Sequence, residues 1–226
     1  LHCVARSNAT RLALDAAAAG GHLRVVEWLH RHRREGGTKA ALIGAAQGGH
    51  LKVVEYLHFH NFPSGRLLDV AAQNGHLQLL EWLHTNNVGS CSINAIDCAS
   101  GNGHLEIVEW LHFNRSEGCT KLAIQNACNG GFLHIVEWLS QNRHEGCTRY
   151  AAGRAAAHGY LGIVEWMFRN RPESCPSHTM EKAAEGGQLL VVDWLERTGR
   201  AALAGHALTL AVAAGRHHLL KRRRAR

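Results

Sequence analysis

Residues 103–112 read Gly-His-Leu-Glu-Ile-Val-Glu-Trp-Leu-His. Residues 21–30 read Gly-His-Leu-Arg-Val-Val-Glu-Trp-Leu-His, and residues 131–140 read Gly-Phe-Leu-His-Ile-Val-Glu-Trp-Leu-Ser. A segment spelled this way several times marks an internal repeat, and a repeat decides the fold before any local propensity does. The anchor glycine recurs at Gly21, Gly49, Gly75, Gly103, Gly131, Gly159, Gly187 and Gly215. Every interval is 28 residues except the 26 between Gly49 and Gly75.

Each copy predicts two helices. Seven residues after the anchor stands an aromatic: Trp28, Tyr56, Trp82, Trp110, Trp138, Trp166 and Trp194. In the first copy Leu23, Val25, Val26, Trp28 and Leu29 share one side of a helix, with Arg24 and Glu27 opposite. This second helix of each copy is helix B. Helix A precedes the anchor. Four residues before the glycine there is always alanine, from Ala17 and Ala45 to Ala183 and Ala211. An alanine in every copy predicts the close approach of another backbone. Thr10, Thr38, Ser64, Ser92, Thr120 and Thr148, 11 residues before the anchor, are expected N-caps. The glycine supplies the left-handed turn that ends helix A. Helices this short are marginal alone in water, so the copies must stack and bury their faces against one another. The indole and alanine positions are expected to form the packed spine.

Composition agrees. The chain has 46% hydrophobic and 19% charged residues and only 3 prolines among 226 residues, which suits a folded, helical protein. No apolar run of about 18 residues predicts a membrane span, and no leader pattern follows Leu1. Lys221, Arg222, Arg223, Arg224 and Arg226 carry +5 of the formal net charge of +7, leaving +2 for the other 220 residues. Attraction to phosphate is therefore concentrated in the tail 221–226.

The residues resemble the ankyrin family. Ala45-Ala46-Gln47-Gly48-Gly49-His50-Leu51-Lys52-Val53-Val54 matches the family's helix A ending and helix B opening, and so does Ala71-Ala72-Gln73-Asn74-Gly75-His76-Leu77. The likeness recurs in phase over nearly the whole chain. The family repeat is about 33 residues against 28 here. Its Thr-Pro-Leu-His opening is missing, and a shorter connection is expected in place of the projecting β-hairpin. Tetratricopeptide repeats have the wrong period. The expected fold is an all-α, ankyrin-like helix-turn-helix solenoid of seven full repeats and a truncated eighth, forming one repeat domain over 1–226.

Several patterns invite a chemical reading. Glu-x-x-His occurs as Glu27/His30, Glu55/His58, Glu81/His84 and Glu109/His112. That spacing holds paired metals in helical carboxylate proteins, but helices filed in a row do not converge on one point. Cys91, Cys119, Cys147 and Cys175 stand one repeat apart, a spacing that favours free thiols over disulfides. His22, His50, His76 and His104 follow the anchor, where a side chain can cap helix B. Arg33/Glu35, Arg115/Glu117, Arg143/Glu145 and Arg171/Glu173 form an Arg-x-Glu ladder in the linkers. No nucleophile–base set and no phosphate-cradling loop stands out. The chain is thus expected to be no enzyme and to need no cofactor or metal.

Recognition is expected where the copies differ. Positions 9, 6, 5 and 2 before the anchor form a stripe opposite the constant alanine: Arg66, Asp69, Gln73, Asn94, Asp97, Gln125, Asn126, Asn129, Tyr150, Arg154, His178, Glu181, Lys182 and Glu185. The ankyrin resemblance implies that helix A lines a concave surface, so this stripe would face a protein partner. The expected function is a non-catalytic, monomeric, intracellular scaffold that binds another protein, with no membrane and no nucleic acid. The alternative is a nucleic-acid or nuclear-import adaptor acting through the tail 221–226.

Overall fold

The computed structural model describes residues 2–33, 36–175 and 178–199, with side chains from residue 11 onward. The described residues form fourteen α-helices and no strand. They run as helix A/helix B pairs: α1 (His2–Ala19) and α2 (Leu23–His32); α3 (Lys39–Gln47) and α4 (Leu51–Phe59); α5 (Leu67–Gln73) and α6 (Leu77–Thr85); α7 (Asn94–Gly101) and α8 (Leu105–Asn114); α9 (Leu122–Gly130) and α10 (Leu133–Asn142); α11 (Ala151–His158) and α12 (Leu161–Asn170); α13 (Thr179–Gly186) and α14 (Leu189–Arg197). The eighth anchor, Gly215, and the tail 221–226 lie outside the described residues.

The chain forms two compact units. The first holds the residues up to Ala99 together with Glu106–Gly118; the second holds Ser100–Leu105 together with the residues from Cys119 onward. Within each unit the contact between successive copies runs mainly through the A helices, with α1 on α3 and α3 on α5 in the first unit, and α9 on α11 and α11 on α13 in the second.

The turn between the helices follows from its glycine. Gly49 and Gly131 have φ of 68° and 86°, a left-handed backbone that costs an L side chain about 1–2 kcal/mol. The next amide donates back across the turn to the constant alanine, His50 N–H to Ala45 O at 2.9 Å and Phe132 N–H to Ala127 O at 3.0 Å. These alanines are fully buried from Ala45 to Ala183. Successive backbones meet beside the turn: a Cβ added at Gly186 would sit 2.0 Å from Ala157 O in the preceding copy.

The spine differs from the expected one. The deepest helix B positions are the fourth, fifth and eighth after the anchor, as in Leu79, Leu80 and Leu83 or Ile135, Val136 and Leu139. The aromatic position is only half-buried, and Trp28 is 51% exposed. Its ring packs edge-on against a side chain of the copy before it, Trp82 against His58 at 5.8 Å and Trp110 against His84 at 5.1 Å between centroids. Aliphatic side chains branch close to the backbone and fill the narrow gap between helices. The longer indole is displaced to its rim.

The caps also need correction. Thr38, Ser92, Thr120 and Thr148 accept from the amide two residues on. Thr10 lies inside α1, and α5 begins after Arg66 with no side-chain cap, so neither Thr10 nor Ser64 caps a helix. The reason at Ser64 is a missing acceptor. Asp15 accepts from Thr38 N–H and Oγ1–H at 2.9 and 2.7 Å. Asp69 does the same for Ser92 at 2.7 and 2.6 Å. The equivalent residue of the second copy is Ile43, which cannot accept, and that copy is also the one followed by the short interval.

The histidines after the anchor do not cap helix B. No side-chain cap bond is made by His22, His50 or His76. Instead His50 Nε2–H donates to Ala19 O at 3.1 Å and His76 Nε2–H to Gln47 O at 2.8 Å. Each ring thereby lies over the anchor glycine of the copy before, and a Cβ on Gly21 or Gly49 would meet it at 2.6 Å.

Candidate functional site

The stripe is carried by the A helices, but its members do not share one fate. In the first unit Arg66, just before α5, and Gln73 on α5 are exposed, and Asn94 is exposed on α7. Asp69 spends its carboxylate on Ser92, and Asp97 is buried at 3% exposure. In the second unit Gln125 accepts from Thr148 Oγ1–H. Asp69, Asp97 and Gln125 all occupy the sixth position before the anchor, which turns inward, so these three are withdrawn from the predicted contact face. Variation there reflects alternative ways of joining copies. Asn126 is half-buried and Asn129 exposed on α9.

Of the six remaining stripe residues of the second unit, four converge. Tyr150, just before α11, Arg154 on α11, His178, just before α13, and Lys182 on α13 line an open depression of about 450 Å3, with Gly153, Ala157 and His158 completing its lining. Tyr150 is 47% exposed, and Arg154 and Lys182 are exposed. Arg149 lies on the rim: its guanidinium stands 5.0 Å over the Tyr150 ring, and Nη2–H donates to Tyr150 Oη at 2.8 Å. Lys182 Nζ pairs with Glu185 Oε2 at 2.7 Å across one helical turn. Glu181 is half-buried.

Sequence reasoning missed Gly153, Ala157, His158 and Arg149. Gly153 is the decisive omission. It fills the inward position that holds Asp15, Asp69 and Gln125 elsewhere, and it has no side chain to span to the next copy. The gap is the floor of the depression, and the Lys182 stem passes 3.6 Å from where a Gly153 Cβ would be.

The other patterns are absorbed by the joints between copies. His30, from the Glu-x-x-His series, shares a 2.9 Å hydrogen bond between Nδ1 and Tyr56 Oη and stands 4.5 Å from the His60 ring. Burial lowers the His30 pKa from its ordinary value, helped by the neighbouring charges of His60 and Arg31. Arg115 pairs with Glu117 and also approaches His84 Nδ1 at 3.3 Å, while Arg143 pairs with Glu145. The Arg115 hydrogen bond holds the Glu117 carboxyl below its usual range. Arg171 departs from the ladder, donating through Nε and Nη2 to Ser140 Oγ at 3.1 and 2.9 Å. A 3-10 turn, Pro172–Ser174, redirects that loop. Glu35, in the first pair, lies outside the described residues. Cys91, Cys98, Cys119, Cys128, Cys147 and Cys175 are free thiols; burial pushes Cys91 up to about 11.

The paired helices, glycine turns and stacked A helices have a counterpart among known proteins. Residues 68–112 match the family model described as ankyrin repeats in many copies. The solved crystal structure of the human ASB11 ankyrin repeat domain superposes with a TM-score of 0.55 at 18% identity, covering 69% of this chain and 82% of that one. Over residues 68–112 the chain is similar to ankyrin repeats, and its fold is ankyrin-like. No curated protein matches the chain. The 28-residue repeat is shorter than the usual ankyrin repeat of about 33, and its linkers cross without a hairpin among the described residues. None of the described helices is long and apolar enough to cross a membrane.

Proposed function

We propose that this ankyrin-repeat chain is a non-catalytic scaffold that binds another protein through the exposed residues of its A helices, as part of one repeat domain over 1–226. Ankyrin repeats generally mediate protein–protein interaction, and repeat arrays separate the residues that build the stack from those left free to recognise. One observation carries the reading for this chain. Tyr150, Arg154, His178 and Lys182, drawn from two successive copies, gather round a single open depression. An exposed aromatic flanked by long cationic side chains is the composition of an energetic centre in protein interfaces. The outer members Arg66, Gln73, Asn94, Asn126, Asn129 and Glu185 extend the face.

A photo-crosslinking residue at Tyr150 tests this, with the same residue at Gln141, exposed on α10, as comparison. Crosslinking in cells should yield a discrete protein adduct from position 150 and none from 141. Adducts from 141 alone would place the partner on the B helices and refute the reading. The second reading, an adaptor acting through 221–226, rests on the charge of that tail. It requires binding to disappear on deletion of those residues and to fall steeply with salt. Under the first reading the adduct at 150 survives the deletion.

A further inference from the structure

The geometry points to the depression between α11 and α13 as a subsite for a carboxylate side chain of an acidic peptide segment in the partner. The inference rests on the scaffold reading and gives the partner a chemistry. Arg154, Lys182, His158 and His178 line the depression, and no carboxylate is among its lining residues. Arg149 adds a guanidinium at the rim, beside the Tyr150 ring. The guanidinium of Arg154 can grip a carboxylate through two parallel N–H donors. Lys182 already donates to Glu185, but an ammonium has three donors and can hold a second acceptor without releasing the first.

The sequence explains what opens the subsite at this copy. In other copies the inward position carries Asp15, Asp69 or Gln125, whose oxygens take the hydroxyl of the next copy's cap. A carboxylate at that place fills the floor and repels an incoming anion. Gly153 removes both the volume and the charge, leaving the flanking cations facing an open space. A space of about 450 Å3 accommodates one or two side chains. Tyr150 is the one large aromatic of its lining, beside the smaller imidazoles of His158 and His178, so the depression offers no row of broad platforms for stacked bases, which favours peptide over nucleic acid.

The test uses the full chain and fluorescein-labelled hexaglutamate, read by fluorescence anisotropy, with hexaglutamine and hexathymidylate as comparison probes. Hexaglutamate should bind saturably and more weakly as salt rises, and hexaglutamine should not bind. Arg154→Glu with Lys182→Glu should weaken binding at least tenfold. Both residues are exposed, and unchanged circular dichroism verifies the fold. Gly153→Asp should cost a comparable factor, and Gly153→Asn distinctly less, because only the first adds repulsion. Absence of saturable binding would overturn the inference. So would undiminished affinity in the charge-reversed protein, which would put the peptide on 221–226. Tighter, Arg154-dependent binding of hexathymidylate would replace peptide by nucleic acid. A protein adduct at position 150 without hexaglutamate binding removes the acidic chemistry and leaves the scaffold; the converse result removes the scaffold alone.

Discussion

The two units spell one repeat but join its copies with different side chains. In the first, imidazoles do the joining: His50 and His76 lie over Gly21 and Gly49, and His30 meets Tyr56. In the second, Phe132, Tyr160 and Gln188 lie over Gly103, Gly131 and Gly159, and Phe168 meets Trp194 edge-on at 5.7 Å. The backbone geometry is shared; the chemistry laid on it is not. The lesson is that the repeat demands a flat side chain at the joint and is indifferent to whether that side chain can take a proton.

The largest expected effect probes what the units share. Gly49→Ala and Gly131→Ala each place a Cβ in a left-handed turn, 2.6 Å from the His76 ring and 2.8 Å from the Tyr160 ring. Adding about 1–2 kcal/mol for the backbone to about 1–3 kcal/mol for overpacking gives a loss of about 2–5 kcal/mol in urea unfolding. A large loss at only one of the two would break the claim of shared geometry. Next comes the choice of spine. Leu83→Ala should cost about 2–5 kcal/mol. Trp82→Ala, removing a half-buried ring, should cost about 2 kcal/mol, roughly half the value for a fully packed indole. The reverse order would restore the indoles to the core.

Smaller effects sharpen the contrast between units. Asp69→Ala removes a carboxylate that takes two hydrogen bonds from Ser92 and should cost about 1–3 kcal/mol. Gln125→Ala removes a neutral acceptor from Thr148 and should cost about 0.5–1.5 kcal/mol. Equal losses, measured by thermal unfolding, would deny the carboxylate its advantage. The smallest effect is one of pH. His30 in the folded state lies below its ordinary 6.5, so the unfolded chain binds its proton first as pH falls. Stability from this joint is complete above about pH 6.5 and declines as pH drops from there toward the folded value. Hydrogen-exchange protection factors, corrected for the intrinsic rate at each pH, should therefore fall in α2 and α4 between pH 7.5 and 5.5, while those in α10 and α12 hold steady. Glu117 and Glu145, both held below their usual range, add a loss common to both units in the acid region below about pH 4.5. A uniform fall in protection at pH 5.5 would erase the distinction.

Much of the fold was legible because a repeat prints its constraints many times. Anchor glycine, buried alanine, the Thr38-type caps and the length of helix B all follow from what recurs. The place of the aromatic did not. Positions four, five, seven and eight after the anchor share one helical arc, and spacing alone cannot tell the centre of that arc from its rim. The inward bond from Asp69 to Ser92 was hidden for another reason: it spans 23 residues and joins two columns that look independent in one sequence. The site was half legible. Variation picked out Tyr150, Arg154, His178 and Lys182, but it could not show that Asp97 faces inward or that an unremarkable Gly153 opens the space between them.

At Gly21, Gly49, Gly103, Gly131 and Gly159 the side chain covering the anchor comes from the copy that follows. A turn is therefore inspected by its successor, and the only entry requirement is a planar or slender group at one address. Gene segments exchanged at that seam, His76 for Tyr160 or the reverse, would still close, so new orderings of recognition surfaces can arise by recombination with no redesign of the turns beneath them.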